Sequence, residues 1–448
     1  MKPLFETAGV VLYHGDCREI MAALPGGGFD AIVTDPPYGL EFMGKEWDKL
    51  GAANEAATDS PGWRAGHGGR GKPSSTNGVP FGGAGQRVRY GTSAASMQPW
   101  HFEWATTAIR VAKPGAHLLA FGGTRTYHRL ACAIEDAGFE LRDCIMYMFG
   151  TGFPKSMDVS KQIDKQARAK RKVVGDHPHA AKNKHRSKKS TYGTPNQNTT
   201  ITTPATDAAK QWHGFGTALK PAYEPVIVAR SPLSEKTVAA NVLKHGTGAI
   251  NIDGCRVPVN GEKAGGSGKP PLQFNGENHR PFHDNPQPRE FDRTTGRWPA
   301  NVIIDDSPEI MEEFARCGES VSTGALRHIN AKPKSVAKGA EYKRDSYGHD
   351  DSSTPARFFY TAKASRRERG EANNHPTVKP LSLMRYLCRL VCPPGGIILD
   401  PFAGSGTTGI AAMQEGMRAV LIEQSREYCE IIVRRLKEHA AKEPLRGT

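Results

Sequence analysis

The stretch IILDPFAGSGTTG, residues 397–409, decides the fold. Its first residues make a short buried strand, Asp400 and Pro401 end it, and glycines at 404, 406 and 409 turn the chain into a helix opened by Thr407 and Thr408. Strand, glycine turn and helix in this order begin a parallel β–α–β unit. The surroundings continue it: 381–391 and 407–415 read as helices, 419–423 as a strand ending in Glu423, and 428–441 as a basic amphipathic helix. Residues 404–409 fit G-x-G-x-x-G, which alone would admit a dinucleotide with its pyrophosphate at the helix N-terminus. Asp400 speaks against that, because a carboxylate there repels a pyrophosphate and suits an ammonium group.

The other end of the chain repeats the rhythm. Residues 10–14, 31–34 and 117–121 read as strands, 100–112 and 127–137 as helices, and 140–149 as paired strand segments after a stop at Gly138. Alternation of this kind predicts an α/β fold with a parallel sheet covered on both faces. The second strand runs into TDPPYGL, residues 34–40. Pro36 and Pro37 can neither continue a ladder nor enter a helix interior, so the corner is stiff. It carries Asp35 and Tyr38 at the carboxyl end of a strand.

At 448 residues the chain is too long for one small core, and its net charge of +14 favours polyanionic partners. No apolar run approaches the roughly 20 residues that span a bilayer. The opening MKPLFETAGVVLYHGD lacks the apolar core and cleavage site of a secretory signal. The eight cysteines show no C-x-x-C spacing, and Cys388 and Cys392 fall in an apolar helical pattern that suits buried thiols. A reduced, cytoplasmic protein with no membrane contact and no structural metal is expected. Between the two alternating ends, residues 151–371 lose the pattern. Residues 161–189 hold Lys170, Arg171, Lys172, Lys188, Lys189 and six further Lys or Arg against Asp164 and Asp176. An irregular Gly/Ser/Arg-rich loop follows the corner over 44–98.

Taken together, TDPPYGL, the irregular basic middle, HPTVKP at 375–380 and DPFAGSGTTG resemble the DNA amino-methyltransferases of the permuted, beta arrangement. The resemblance covers roughly residues 10–43, 115–150 and 357–435. It implies a circularly permuted Rossmann-like methyltransferase sheet with a large irregular insertion as target-recognition region. Residues 1–150 would be the catalytic half, 151–371 the DNA-binding insertion and 372–448 the cofactor half. The implied cofactor is S-adenosylmethionine and the implied partner double-stranded DNA, with room for a homodimer and a cognate restriction enzyme. Asp35, Pro36, Pro37 and Tyr38 then form the catalytic corner. Asp400 would meet the cofactor ammonium along the loop of Gly404, Ser405, Gly406, Thr407 and Thr408. Glu423 would meet the ribose, Phe402 would pack on the cofactor, and Asp16, with Cys17 beside it, would reach the adenine. His375, Thr377 and Lys379 would hold the methionine end. Lys170, Arg171, Lys172, Lys188 and Lys189 are the expected DNA contacts.

The chemistry fits the residue types. An exocyclic amino nitrogen is a poor nucleophile because its lone pair is delocalised into the ring. The Asp35 carboxylate and the Pro36 carbonyl can accept its two N–H groups and turn the lone pair towards the methyl. A base inside a duplex must first be flipped out at a few kcal/mol. Stacking on Tyr38 returns roughly 1–3 kcal/mol of that. Asp35 favours N6 of adenine, because many N4-cytosine enzymes of the family carry Ser there; N4-cytosine methylation remains the alternative. RNA and protein N-methyltransferases use related corners, but their cofactor loop normally precedes the corner. A non-catalytic DNA-binding protein would not need Asp35, Tyr38, Asp400 and Glu423 intact. Cytosine C5 chemistry needs a nucleophilic cysteine, and no Pro-Cys dipeptide occurs in the chain.

Overall fold

The computed structural model describes residues 2–7, 9–38, 93–150, 152, 156–176, 200–257, 296–318, 320–322, 327–329, 344–346, 351–362 and 378–442. Ten strands among them form one sheet. They are β1 (Phe5–Thr7), β2 (Val10–His14), β3 (Phe29–Thr34), β4 (Ala112–Phe121), β5 (Glu140–Met148), β6 (Tyr223–Arg230), β7 (Val302–Asp305), β8 (Tyr360–Ala362), β9 (Ile397–Asp400) and β10 (Arg418–Glu423). In space the order is β1-β2-β10-β9-β3-β4-β6-β5-β7-β8.

From β2 to β4 the neighbours run parallel, so His14, Glu423, Asp400, Thr34 and Phe121 end at one edge. The strand β6 is antiparallel to both β4 and β5, which brings its first residues to that same edge. The two central strands, β9 and β3, are far apart in sequence. From β9 the chain moves outward to β10, and from β3 it moves the other way to β4, so the strand order reverses between them. A crevice at the carboxyl ends of such a reversal is where open α/β sheets bind ligands.

Helices cover both faces, as strands buried on both sides require. On one face, α1 (Cys17–Ala23), α2 (Ser93–Val111) and α3 (Tyr127–Asp136) contribute Ile20, Met21, Trp104, Leu130 and Ile134 to a core with Ile32, Leu399 and Ile422. Among the described residues, the opposite face is covered by α8 (Leu381–Val391), α9 (Thr407–Gln414) and α10 (Arg426–Lys442). Their Leu387, Ile410 and Ile432 pack with Val33, Ile398 and Leu421. Successive strand residues alternate between the two cores, as the pleat dictates. Four further α-helices among the described residues are α4 (Val159–Gln166), α5 (Asp207–Gln211), α6 (Val238–His245) and α7 (Pro308–Arg316).

Several sequence expectations need adjusting. Residues 140–149 do not split into paired segments; 140–148 form one strand, with a register shift between Leu141 and Asp143 against β6. The helix expected over 100–112 starts at Ser93, inside the loop assigned to 44–98, and accommodates Pro99 in its interior. The segment 151–371 is not separate from the sheet, because β6, β7 and β8 lie within it. Their apolar runs, Val226–Ala229 above all, are signals that the surrounding Gly- and Lys-rich sequence obscures. No helix among the described residues is long and apolar enough to cross a membrane.

Trp104 is fully buried and donates its indole N–H to His101 Nδ1 at 2.8 Å. Replacing it with Ala is expected to lower unfolding stability by about 3–5 kcal/mol, as for other large aromatic truncations in a core. Urea denaturation followed by circular dichroism measures it.

Candidate active site

The corner after β3 and the glycine turn after β9 meet at the carboxyl edge. A direct hydrogen bond joins them: Thr34 Oγ1 donates to Asp400 Oδ1 at 2.7 Å. Asp400 is 2% exposed and also accepts Thr408 Oγ1 at 2.5 Å and the Phe402 N–H at 3.1 Å. Burial pushes its pKa up to about 6, while the bonds from Thr408, Thr34 and Phe402 pull in the opposite direction. Its carboxylate therefore organises the turn from inside, with Thr408 as one of its donors.

The turn itself has a second clamp. Arg435 of α10 donates to the Ser405 carbonyl and hydroxyl and to Thr407 Oγ1. The side chains of Ser405 and Thr407, expected beside a cofactor, are thus buried against Arg435. Gly406 has φ +78°, and a Cβ there would lie 3.0 Å from Ile432 Cγ2, so this position needs glycine on both grounds. The Phe402 ring rests against Trp100 and Trp104 of α2, at centroid distances of 5.6 and 5.4 Å. At the end of β10, Glu423 accepts the N–H groups of Gly404 at 2.8 Å and Ser425 at 2.7 Å. Burial raises its pKa to about 7, opposed by those two backbone bonds.

In the corner, the Tyr38 hydroxyl donates to Asp35 Oδ1 at 2.9 Å. Gly123, just beyond β4, lets the Tyr38 ring lie close, since a Cβ there would be 3.1 Å from Tyr38 Cδ2. Behind the corner His101 is fully buried, and burial drives its pKa down to about 3. Because Nδ1 accepts from Trp104, the ring proton sits on Nε2, which lies towards the Pro37 carbonyl without a well-formed hydrogen bond. Lys379 also belongs here. Its ammonium lies 3.2 Å from Asp35 Oδ2, 3.2 Å from Tyr38 Oη and 2.8 Å from Glu224 Oε2. The residue expected at the methionine end of a cofactor therefore lies on the Asp-Pro-Pro-Tyr corner.

Asp16 caps α1: Oδ1 accepts the Arg18 N–H at 2.8 Å, and Oδ2 pairs with the Arg18 guanidinium at 2.7 Å. The Arg18 hydrogen bonds lower its pKa against the opposing effect of burial. Cys17 packs in the core with Ile20 and Met21, and burial raises its thiol well above the ordinary range. In the basic segment, Lys170 and Lys172 are exposed. Arg171 is not available to a phosphate as expected, because its guanidinium binds Asp164 Oδ2 at 2.7 Å, Ser160 Oγ at 3.1 Å and Thr202 Oγ1 at 3.0 Å. Asp164 in turn accepts the N–H groups of Ala205 and Thr206, so this ion pair ties α4 to the approach to α5. His375, Thr377, Lys188 and Lys189 lie outside the described residues. Sequence reasoning missed Glu224, Arg435, His101 and Gly123; the Trp100/Trp104 spacing, with Phe402 to pack on, was a usable signal.

Thr34→Val removes one of the three donors to the buried Asp400 carboxylate. Asp400, with its pKa near 6, is ionised above that pH and protonated below it. The loss of stability is expected to be about 1–3 kcal/mol at pH 8 and smaller at pH 5. Chemical denaturation at the two pH values decides it; equal losses would remove Asp400 from the account.

The DNA methylase family of N6/N4 methyltransferases matches residues 29–434 of the chain. The chain is 21% identical to the type II methyltransferase M.HindIII of Haemophilus influenzae over 429 residues, 95% of this chain and 94% of that protein. A shorter match, 46% over 66 residues, joins it to the DNA adenine methyltransferase YhdJ of Escherichia coli; it spans 15% of this chain and 22% of that one. Among solved structures it shows a loose likeness to the PvuII DNA methyltransferase (cytosine-N4-specific), at 11% identity, TM-score 0.41 and coverage of 98% and 94%. The complex of M1.HpyAVI with SAM aligns at 16% identity, TM-score 0.36 and coverage of 95% and 98%. The match across nearly the whole chain is the decisive one: the protein belongs to the N6/N4 DNA methylase family and is a DNA methyltransferase.

Proposed function

We propose that the protein transfers a methyl group from S-adenosylmethionine to the exocyclic amino nitrogen of a base flipped out of duplex DNA. N6 of adenine is the target, with N4 of cytosine as the alternative. The observation that carries the reading is the convergence of Asp35, the glycine turn and Glu423 on one edge, joined by the Thr34–Asp400 bond. The circularly permuted arrangement belongs to the same reading, since the central strand β9 comes late in the chain and its partner β3 early.

The residues suit the cofactor. Glu423 uses its two oxygens for one backbone N–H each and keeps lone pairs for a ribose diol. Phe402 offers a ring already braced from behind, and the Asp400 carboxylate places negative charge beside the turn. When bound, the cofactor supplies an electrophilic methyl on a sulfonium, so the protein needs only to aim a nucleophile at it. Asp35 and the Pro36 carbonyl accept the amino N–H groups, and Tyr38 stacks on the base. Forming the N–C bond would leave the S–C electron pair on sulfur, and Asp35 would take the surplus proton from the nitrogen.

The excursion between β5 and β6 is the recognition region in this reading. It leaves and returns at the catalytic edge, where the Phe149 N–H donates to the Ala222 carbonyl at 2.9 Å. It carries exposed Lys170 and Lys172 and a partly exposed aromatic pair, Trp212 and Phe215, 5.0 Å apart. Lysines suit phosphates and exposed rings suit bases. Asp35, where N4-cytosine enzymes often carry Ser, favours adenine.

Two outcomes test this. Asp35→Asn is expected to lower single-turnover methyl transfer by at least about tenfold with cofactor affinity nearly unchanged, because a charge-assisted acceptor is lost. Nucleoside mass spectrometry of DNA methylated in vitro identifies the product. N6-methyladenine supports the reading, N4-methylcytosine promotes the alternative, and 5-methylcytosine overturns the mechanism.

A pH series tests the Glu423 assignment. With its pKa near 7, the carboxylate is mostly protonated at pH 6 and mostly ionised at pH 8. Only the ionised form accepts both ribose hydroxyls, so cofactor affinity should rise by up to about tenfold over that interval. Calorimetry in buffers of different ionisation enthalpy should register proton release near pH 7. A flat affinity with no release removes Glu423 from the cofactor.

A further inference from the structure

Lys379 sits where an ammonium has little reason to be unless it acts on the corner. Its side chain is only 11% exposed, and it lies 4.5 Å from the centroid of the Phe121 ring. Burial alone works against its charge, but the Asp35 and then the Glu224 carboxylates outweigh burial and hold its pKa above the ordinary lysine value. Three segments remote in sequence supply the cluster: the corner after β3, the start of β6 and the approach to α8. Glu224 reaches the catalytic edge only because β6 runs against its neighbours.

The pairings divide the Asp35 carboxylate in a definite way. Oδ1 takes the Tyr38 hydroxyl and Oδ2 faces the Lys379 ammonium, so both oxygens are held and the carboxylate plane is fixed. A lone ammonium would also neutralise Asp35 and weaken it as an acceptor for a nitrogen gaining positive charge. Glu224 faces the same ammonium at a shorter distance, 2.8 Å against 3.2 Å, and the three groups together carry net negative charge. Such a preformed negative field is worth most where charge develops in the transition state.

We propose that Lys379 and Glu224 are positioning residues for the methyl transfer, Lys379 fixing the plane of the Asp35 carboxylate and Glu224 sharing the ammonium so that the corner stays net negative. This deepens the base-methylation reading and rests on it. It also separates Lys379 from the cofactor-binding role that its place in HPTVKP suggested.

The test uses the full chain, a DNA substrate that the unsubstituted protein methylates, and tritiated S-adenosylmethionine. The variants are Lys379→Met, Glu224→Gln and each of these combined with Asp35→Asn. Lys379→Met should lower kcat by at least about tenfold and Glu224→Gln by about threefold or more, with KM for DNA and cofactor within about threefold. In the Asp35→Asn background each should lower kcat by less than about twofold, because a neutral amide already replaces the carboxylate through which they act. Glu224 lies partly exposed at the rim and Gln matches its shape, so this variant keeps the test alive if Lys379→Met does not fold. A raised KM for cofactor with intact kcat would make Lys379 a cofactor ligand and overturn the inference. So would losses that multiply in full with Asp35→Asn, which would mark an independent structural role. An unsubstituted protein that transfers no methyl to DNA would overturn the methylation reading and this inference with it.

Discussion

The arrangement of the sheet's carboxyl edge depends on one contact between distant parts of the chain, the hydrogen bond from Thr34 to Asp400. It spans the point where β3 and β9 lie side by side and the loops that follow them diverge. Without that parallel pairing, the stiff Asp35 corner and the glycine turn would be two unrelated loops. With it, the corner and the turn share a wall. The bond is buried, so it registers the loops on each other with little play.

The same wall concentrates unusual acids. Asp400 and Glu423 are both buried, both raised in pKa and both satisfied mainly by backbone N–H groups and hydroxyls. Buried acids with raised pKa values cluster at functional sites, where burial tunes a group to its task. Asp35 is handled differently: an ammonium faces it, and that ammonium is shared with Glu224. Among the described residues, one edge thus carries buried acids with no ion-pair partner beside an acid faced by a cation. That contrast suits a site that must bind a positively charged donor while presenting an acceptor to an amino group.

Much of this was legible in the sequence. The glycine turn, the Asp-Pro-Pro-Tyr corner and the strands that carry them follow from local pattern, because prolines and positive-φ glycines punctuate the chain wherever they occur. The partner of a side chain is another matter. Lys379 reads as part of a cofactor-binding segment, and only the direction of β6 shows that Glu224 and Asp35 meet it. Arg171 reads as one of a basic run, yet a single buried acid, Asp164, removes it from that run. Ser405 and Thr407 read as cofactor contacts until Arg435, fully 28 residues beyond Thr407, is seen to hold them. Sequence proximity gives the loop; antiparallel pairing and helix packing decide what faces it.

The strand β6 has a further consequence. Because β5 ends and β6 begins as paired neighbours, with Met148 opposite Tyr223, the chain between them is a closed excursion whose two feet are pinned. The entropic penalty for lengthening such a loop grows only with the logarithm of its length. Its contents can therefore be exchanged, extended or replaced without altering the register of any strand that carries the chemistry. A chain built this way has two parts under different constraint. The sheet and its buried acids are held by packing on both faces. The excursion is held at its two feet, so its length and content can change while the strands keep their register.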